Sequence, residues 1–165
     1  MQNSTAFSRQ LAMDISHSSL LDEFKKAALQ LRLHQLEAQP LNILFAGPQG
    51  VGKTSTIKAL FGGALLGPSS SDAGRYEMGN LVVWDYPGHT GNPEQDAMLD
   101  MQLAATLTER DSNGNPLIDM VVVVLDAAER NLNSGYRLIT EVLVPALGDK
   151  LDSRLVVGLN KVDAA

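Results

Sequence analysis

The chain contains no cysteine, which excludes disulfides and thiolate metal sites and leaves the redox compartment unmarked. Basic residues are scarce: 13 Lys and Arg stand against 19 Asp and Glu, a net charge of −6. That deficit argues against a broad nucleic-acid-binding surface and against a polybasic membrane anchor. No apolar run approaches the roughly 20 residues that a membrane span needs. Met1 to Met13 has no basic segment leading into an apolar one, so no secretory signal is read there. The expectation is a soluble, cytoplasmic protein. At 165 residues there is room for one domain with a sizeable core, or one domain with an appendage. No internal repeat is found.

What is present centres on Gly47-Pro48-Gln49-Gly50-Val51-Gly52-Lys53-Thr54. The pattern is G-x-x-x-x-G-K-T, and both flanks suit it: Leu41 to Ala46 reads as a buried strand and Ser55 to Phe61 as a helix. Gly47, Gly50 and Gly52 let the backbone curl with its N–H groups inward, a concave nest for an anion. The helix N-terminus behind it adds unpaired donors and the positive end of a dipole. Gln49, Val51 and Ser55 complete the lining. Lys53 supplies a cation for β- and γ-phosphates, and the Thr54 hydroxyl can ligate Mg²⁺.

Around this motif the chain is read as an N-terminal appendage, residues 1–40, and a main domain, residues 41–165. Met1 to Ser16 is polar and unpatterned, hence a loose tail. A helix capped by Ser19 and Asp22 and closed by Pro40 follows, with Leu20, Phe24, Ala27, Ala28 and Leu31 as its apolar stripe. Arg75 to Met78 and Leu81 to Asp85 form a hairpin across Gly79-Asn80. A helix spans Pro93 to Arg110, with Met98, Met101 and Ala105 at helical spacing. Ile118 to Leu125 is a strand covered on both faces. Another helix fills Ser134 to Leu147, ended or kinked at Pro145, and Leu155 to Leu159 is the last strand. This alternation implies an α/β fold with a mostly parallel central sheet.

Two further groups carry chemistry. Asp85 ends an apolar strand, where its carboxylate can hold Mg²⁺ through water at the sheet's C-terminal edge. Gly88 lets a backbone N–H approach a γ-phosphate. Asn160-Lys161-Val162-Asp163 follows the last strand. There the Asp163 carboxylate can accept both the N1–H and the exocyclic amine of guanine, a donor pair adenine lacks. Lys161 can lie over the base or the phosphate loop, and Asn160 can bridge segments. A surface turn is the plain alternative for this last group. ATP-dependent transport or kinase activity fits the phosphate loop alone but leaves Asp163 unexplained.

Together, Gly47–Thr54, Asp85-Tyr86-Pro87-Gly88 and Asn160–Asp163 resemble the G1, G3 and G4 boxes of a Ras-like P-loop GTPase. The proline in D-x-P-G resembles the translation-factor and Era-like side of that superfamily, and the texture of Trp84-Asp85-Tyr86-Pro87-Gly88 and of Leu125-Asp126-Ala127-Ala128-Glu129-Arg130 is similar to Era-like and interferon-inducible-type GTPase domains. The resemblance implies a three-layer P-loop fold, GTP and GDP binding, Mg²⁺, hydrolysis to GDP and phosphate, two switch loops, and an effector or regulator not identified by the sequence. It also implies catalytic roles for Lys53, which with Mg²⁺ stabilises charge on the phosphates, and for His89, because translation factors place a water-orienting histidine after D-x-P-G; the rest of their switch I signature is absent here. A solvent-facing loop histidine is the alternative.

Three features depart from the family. No threonine lies between Thr56 and Thr90 to complete the switch I metal shell, so Ser69, Ser70 or Ser71 would have to substitute. No arginine finger is evident: Arg75 and Arg130 are expected in surface salt bridges. The G5 loop and the final strand and helix are absent, so the expectation is a C-terminally truncated G domain from a larger protein.

Overall fold

The computed structural model describes residues 6–62, 74–78, 80–129 and 132–164, and the chain divides into two compact units between Pro40 and Leu41. In the first unit, Ala6–His17 forms a helix, α1, and Glu23–Ala38 a second, α2. The loose tail expected up to Ser16 is therefore corrected. Arg9, Gln10, Leu11, Ala12 and Met13 are strong helix formers, which need no apolar period to be helical. Gln10 donates to Asp14 four residues on, at 2.9 Å, on the same face. The start of α2 is corrected too. Asp22, not Ser19, is the cap, its carboxylate accepting the Lys25 N–H at 2.8 Å. That hydrogen bond also holds the Asp22 carboxyl below the usual carboxylate range. Leu20 consequently precedes the helix, and it, Phe24 and Leu31 stand exposed rather than forming a buried stripe. Among the described side chains of α2, Lys26 and Leu33 are the partly covered ones instead.

The second unit is a five-stranded sheet in the order β2-β3-β1-β4-β5. Its strands are β1 Leu41–Ala46, β2 Arg75–Met78, β3 Leu81–Asp85, β4 Met120–Asp126 and β5 Leu155–Asn160. All neighbours are parallel except the β2–β3 hairpin, which pairs Met78 with Leu81 and Arg75 with Trp84. Alternation along β1 and β4 divides the core between two faces. Leu44, Ala46, Val121, Val123 and Leu125 meet Leu103 and Leu107 of α4 (Pro93–Thr108) together with Leu138, Val142 and Leu143. Phe45 and Val124 pack with Val83 and with Ile57 of α3 (Lys53–Phe61) on the other face. This is the three-layer arrangement that the strand–helix alternation implies. β5 lies at the outer edge with Val156, Val157 and Leu159 exposed.

Two helices differ from expectation. In α4, Met98 and Met101 are exposed, and the core face is Leu103 and Leu107, which sit one turn apart. An apolar spacing alone did not tell which face would meet the sheet. The helix that follows β4 runs as α5 (Asn133–Arg137), a π-helical turn over Leu138–Leu143, and α6 (Val144–Leu147). Pro145 lies in the first turn of α6. Proline lacks an N–H and its ring clashes with the carbonyl one turn back. The wider π turn takes up that mismatch without ending the helix. A single 3₁₀ turn, Gly148–Lys150, and α7 (Leu151–Arg154) then lead into β5.

Candidate functional site

Gly47 leaves β1 at φ 143°, and Gly50 and Gly52 follow at 78° and 95°. These left-handed angles turn the loop into α3 and suit glycine alone among common residues. At Gly47 there is also no room. A Cβ there would lie 2.3 Å from the Val124 carbonyl oxygen of β4. Gly47→Ala should therefore cost about 3 kcal/mol through backbone strain and forced separation of β1 from β4. Urea unfolding followed at Trp84, in the same unit, checks this: the midpoint should fall with the slope unchanged.

Lys53, the first residue of α3, is buried and reaches back over the loop, donating to the carbonyls of Gly47 and Pro48, each at 2.9 Å. Burial pulls its pKa below the ordinary lysine value, and the nearby Asp85 charge opposes that. Next to it the Thr54 hydroxyl donates to the Asp85 carboxylate that ends β3. Those two hard oxygen donors meet at one point on the wall of the pocket, the pairing a Mg²⁺ ion accepts when phosphate and water supply its other ligands. Among the described residues no group of three His, Asp or Glu forms a cage for a metal.

Gly88 presses on the loop from the other side. A Cβ on it would lie 2.6 Å from the Gln49 nitrogen and 2.7 Å from Lys53 Nζ. The Gln49 N–H donates to the His89 carbonyl at 3.3 Å, and Tyr86 N–H donates to the Phe45 carbonyl at 2.9 Å. Gln49, Gly50, Gly52, Lys53, Thr54, Ser55, Asp85, Tyr86, Pro87 and Gly88 thus enclose one open cavity of about 410 Å³. Val51 stands behind them in the core.

The third group arrives from β5. Asn160 Nδ2 donates to the Val51 carbonyl at 2.9 Å, and Lys161 Nζ donates to the Gly50 carbonyl at 3.0 Å. Lys161 has φ 58°, the one positive value outside glycine among the described residues. Its turned backbone starts the 3₁₀ turn Val162–Ala164, which carries the exposed Asp163.

No family model matches the chain, and none of the curated proteins does. Among solved structures, a probable GTP-binding protein engB is 24% identical, with 75% of this chain and 71% of that one covered at a TM-score of 0.51. The G domain of the T. maritima FeoB iron transporter is 18% identical, with 76% and 74% covered at 0.41. Toc33 from Arabidopsis thaliana, solved with Mg²⁺ and GMPPNP, is 14% identical, with 98% and 82% covered at 0.38. The chain has the fold of a P-loop GTPase G domain.

In an open, mostly parallel α/β sheet the crevice that takes a ligand lies outside the carboxyl ends of the strands. Here β1, β3, β4 and β5 end there in Ala46, Asp85, Asp126 and Asn160. Asp126 escaped the sequence reading. Its carboxylate pairs with Lys161 Nζ at 2.6 Å and accepts the Ala128 N–H at 3.0 Å. The Lys161 hydrogen bond holds its carboxyl below the usual range. The available signal was position: like Asp85, it closes an apolar strand at the same edge. Buried Asn42 was also missed. It accepts from Trp84 Nε1 at 3.0 Å, and its own N–H donates to Asp119 at 2.8 Å, tying β1 to its neighbours.

His89 lines a different cleft. Its Nε2 lies 2.6 Å from Asp100 Oδ1 on α4, in a small cavity shared with Asp96, Ser134 and Arg137. Arg75 pairs with Glu77 and stacks 5.3 Å over the Trp84 ring. Ser69, Ser70, Ser71 and Arg130 lie outside the described residues.

Proposed function

We propose that this chain binds GTP and GDP with Mg²⁺, hydrolyses GTP slowly to GDP and phosphate, and signals the bound nucleotide to a partner protein. The observation that carries this reading is the pair of hydrogen bonds from Asn160 and Lys161 to the carbonyls of Val51 and Gly50. They tie the segment that precedes Asp163 to the Gly50–Val51 loop, which supports a reading in which the loop grips phosphate and Asp163 supplies a pair of acceptors for guanine. Adenine, with no matching donors, would leave the Asp163 carboxylate unpaired.

The chain's residues act mainly by position and charge, as phosphoryl transfer requires. Loop N–H groups and the α3 N-terminus hold the phosphates, and Lys53 balances charge as it moves toward the bridging oxygen. Mg²⁺ held by Thr54 and Asp85 would neutralise the phosphate oxygens. A water attacks the γ-phosphorus, the bond to the β-phosphate oxygen breaks, and GDP departs with inorganic phosphate left behind. His89 is the group able to orient that water, but it is bonded to Asp100, and turnover is slow while that pair persists.

The same pairing favours a second reading, a nucleotide-binding module with negligible hydrolysis. Phosphate release at saturating GTP separates the two. The first expects slow release from the parent chain, reduced about tenfold or more in His89→Ala. No release from the parent, with GTP demonstrably bound, would leave the module.

A further inference from the structure

The loop after β3 is held from two sides at once. On α4, Asp96 and Asp100 stand one turn apart on one face. Asp96 accepts the backbone N–H groups of Thr90 and Gly91, at 2.8 and 3.0 Å. Asp100 holds the His89 ring at 2.6 Å, with both side chains largely covered. Arg137 of α5 stands 3.9 Å from the other Asp100 oxygen. Tyr86 OH donates to the Leu99 carbonyl at 2.9 Å, and burial pushes its pKa up to about 12. On the opposite side, the His89 carbonyl takes the Gln49 N–H, and Gly88 lies against Lys53 Nζ. His89 therefore joins α4 by its ring to the phosphate nest by its backbone.

We propose that Asp100 is a specificity-determining latch. By holding His89 it seats Pro87–Gly88–His89 on the outer donor of the nest, the Gln49 N–H, and so sets the preference for a nucleoside diphosphate over a triphosphate. The proposal rests on the nucleotide-binding reading above. A diphosphate can be held by Lys53 and the inner donors at the N-terminus of α3. A third phosphate needs the outer one, and there it meets the His89 carbonyl oxygen, an acceptor that repels it. Releasing His89 frees the loop to move aside and removes that competition.

Titration of fluorescent GTP and GDP analogues with Mg²⁺, using Trp84 as energy donor, tests this in the full chain. Asp100→Ala places a strong helix former inside α4 and leaves Arg137 its 2.8 Å pair with Glu141, so the variant folds. It should tighten GTP binding about tenfold and leave GDP within about twofold, the change expected for one charge-assisted hydrogen bond removed from a competing state. Asp100→Asn keeps an acceptor for the ring N–H and should stay within about threefold of the parent. His89→Ala should match Asp100→Ala, and the double variant should go no further, as for two halves of one contact. Equal shifts in GTP and GDP, no shift, or additive effects of the two substitutions would overturn the latch alone. A parent chain that binds neither nucleotide would overturn the nucleotide reading and the latch with it.

Discussion

Lys53→Ala should lose at least about a hundredfold in affinity for both GTP and GDP while the chain still folds. The lysine amine is fixed by the Gly47 and Pro48 carbonyls, at 2.9 Å each, in a nearly dry position. A cation held there meets phosphate with its geometry already set, and charge-assisted hydrogen bonds of this kind contribute ~1.5–3 kcal/mol each. Removing two such bonds to phosphate accounts for two decades or more. Folding is less affected, because two terms oppose each other. The two carbonyls lose their donor, but the cost of burying a charge, which already lowers the Lys53 pKa, also disappears. Alanine suits the first turn of α3. The check is a titration of fluorescent GDP beside a thermal melt of the same sample. Affinity within about threefold of the parent would mean that the amine braces the loop and does not hold phosphate.

The parts of this site that the sequence disclosed are those where a local constraint leaves few choices. Gly47, Gly50 and Gly52 adopt backbone angles open to little else, and a strand before and a helix after them follow from apolar patterning. The β2–β3 hairpin and the consecutive valines of β4, shared between two core faces, were legible for the same reason. Pairings between distant segments were not. Nothing in the residues around Asp126 announces that it will meet Lys161, nor does α4 announce that Asp100 will hold His89. Such pairs arise when the sheet brings strand ends together, and they leave no visible pattern in the sequence. The helices erred in a related way. Leu20, Phe24 and Leu31 have the right spacing for a stripe, yet Asp22 captures the Lys25 N–H and starts the helix after Leu20. In α4 the methionines compete with Leu103 and Leu107 for the core, and only packing on β4 chooses between them.

On the proposed reading Asp163 chooses the base, and its replacement should produce the largest change in selectivity. The 3₁₀ turn Val162–Ala164 presents it just beyond Lys161, whose carbonyl accepts the Ala164 N–H at 3.0 Å. A carboxylate offers two acceptors, matching the two donors on guanine. An amide offers one acceptor and one donor, matching xanthine, which has a carbonyl where guanine has its amine. Facing guanine, the amide introduced by Asp163→Asn would set donor against donor and leave a polar pair unmade, at a cost of about 3 kcal/mol, or roughly a hundredfold. The decisive measurement is competition of GTP, xanthosine triphosphate and ATP for the parent chain and for Asp163→Asn, read as energy transfer from Trp84 to a bound fluorescent nucleotide. The account predicts that GTP displaces the probe from the parent while ATP and xanthosine triphosphate do not, and that xanthosine triphosphate takes over from GTP in the variant. ATP competing with the parent as well as GTP, with the order unmoved by Asp163→Asn, would contradict it.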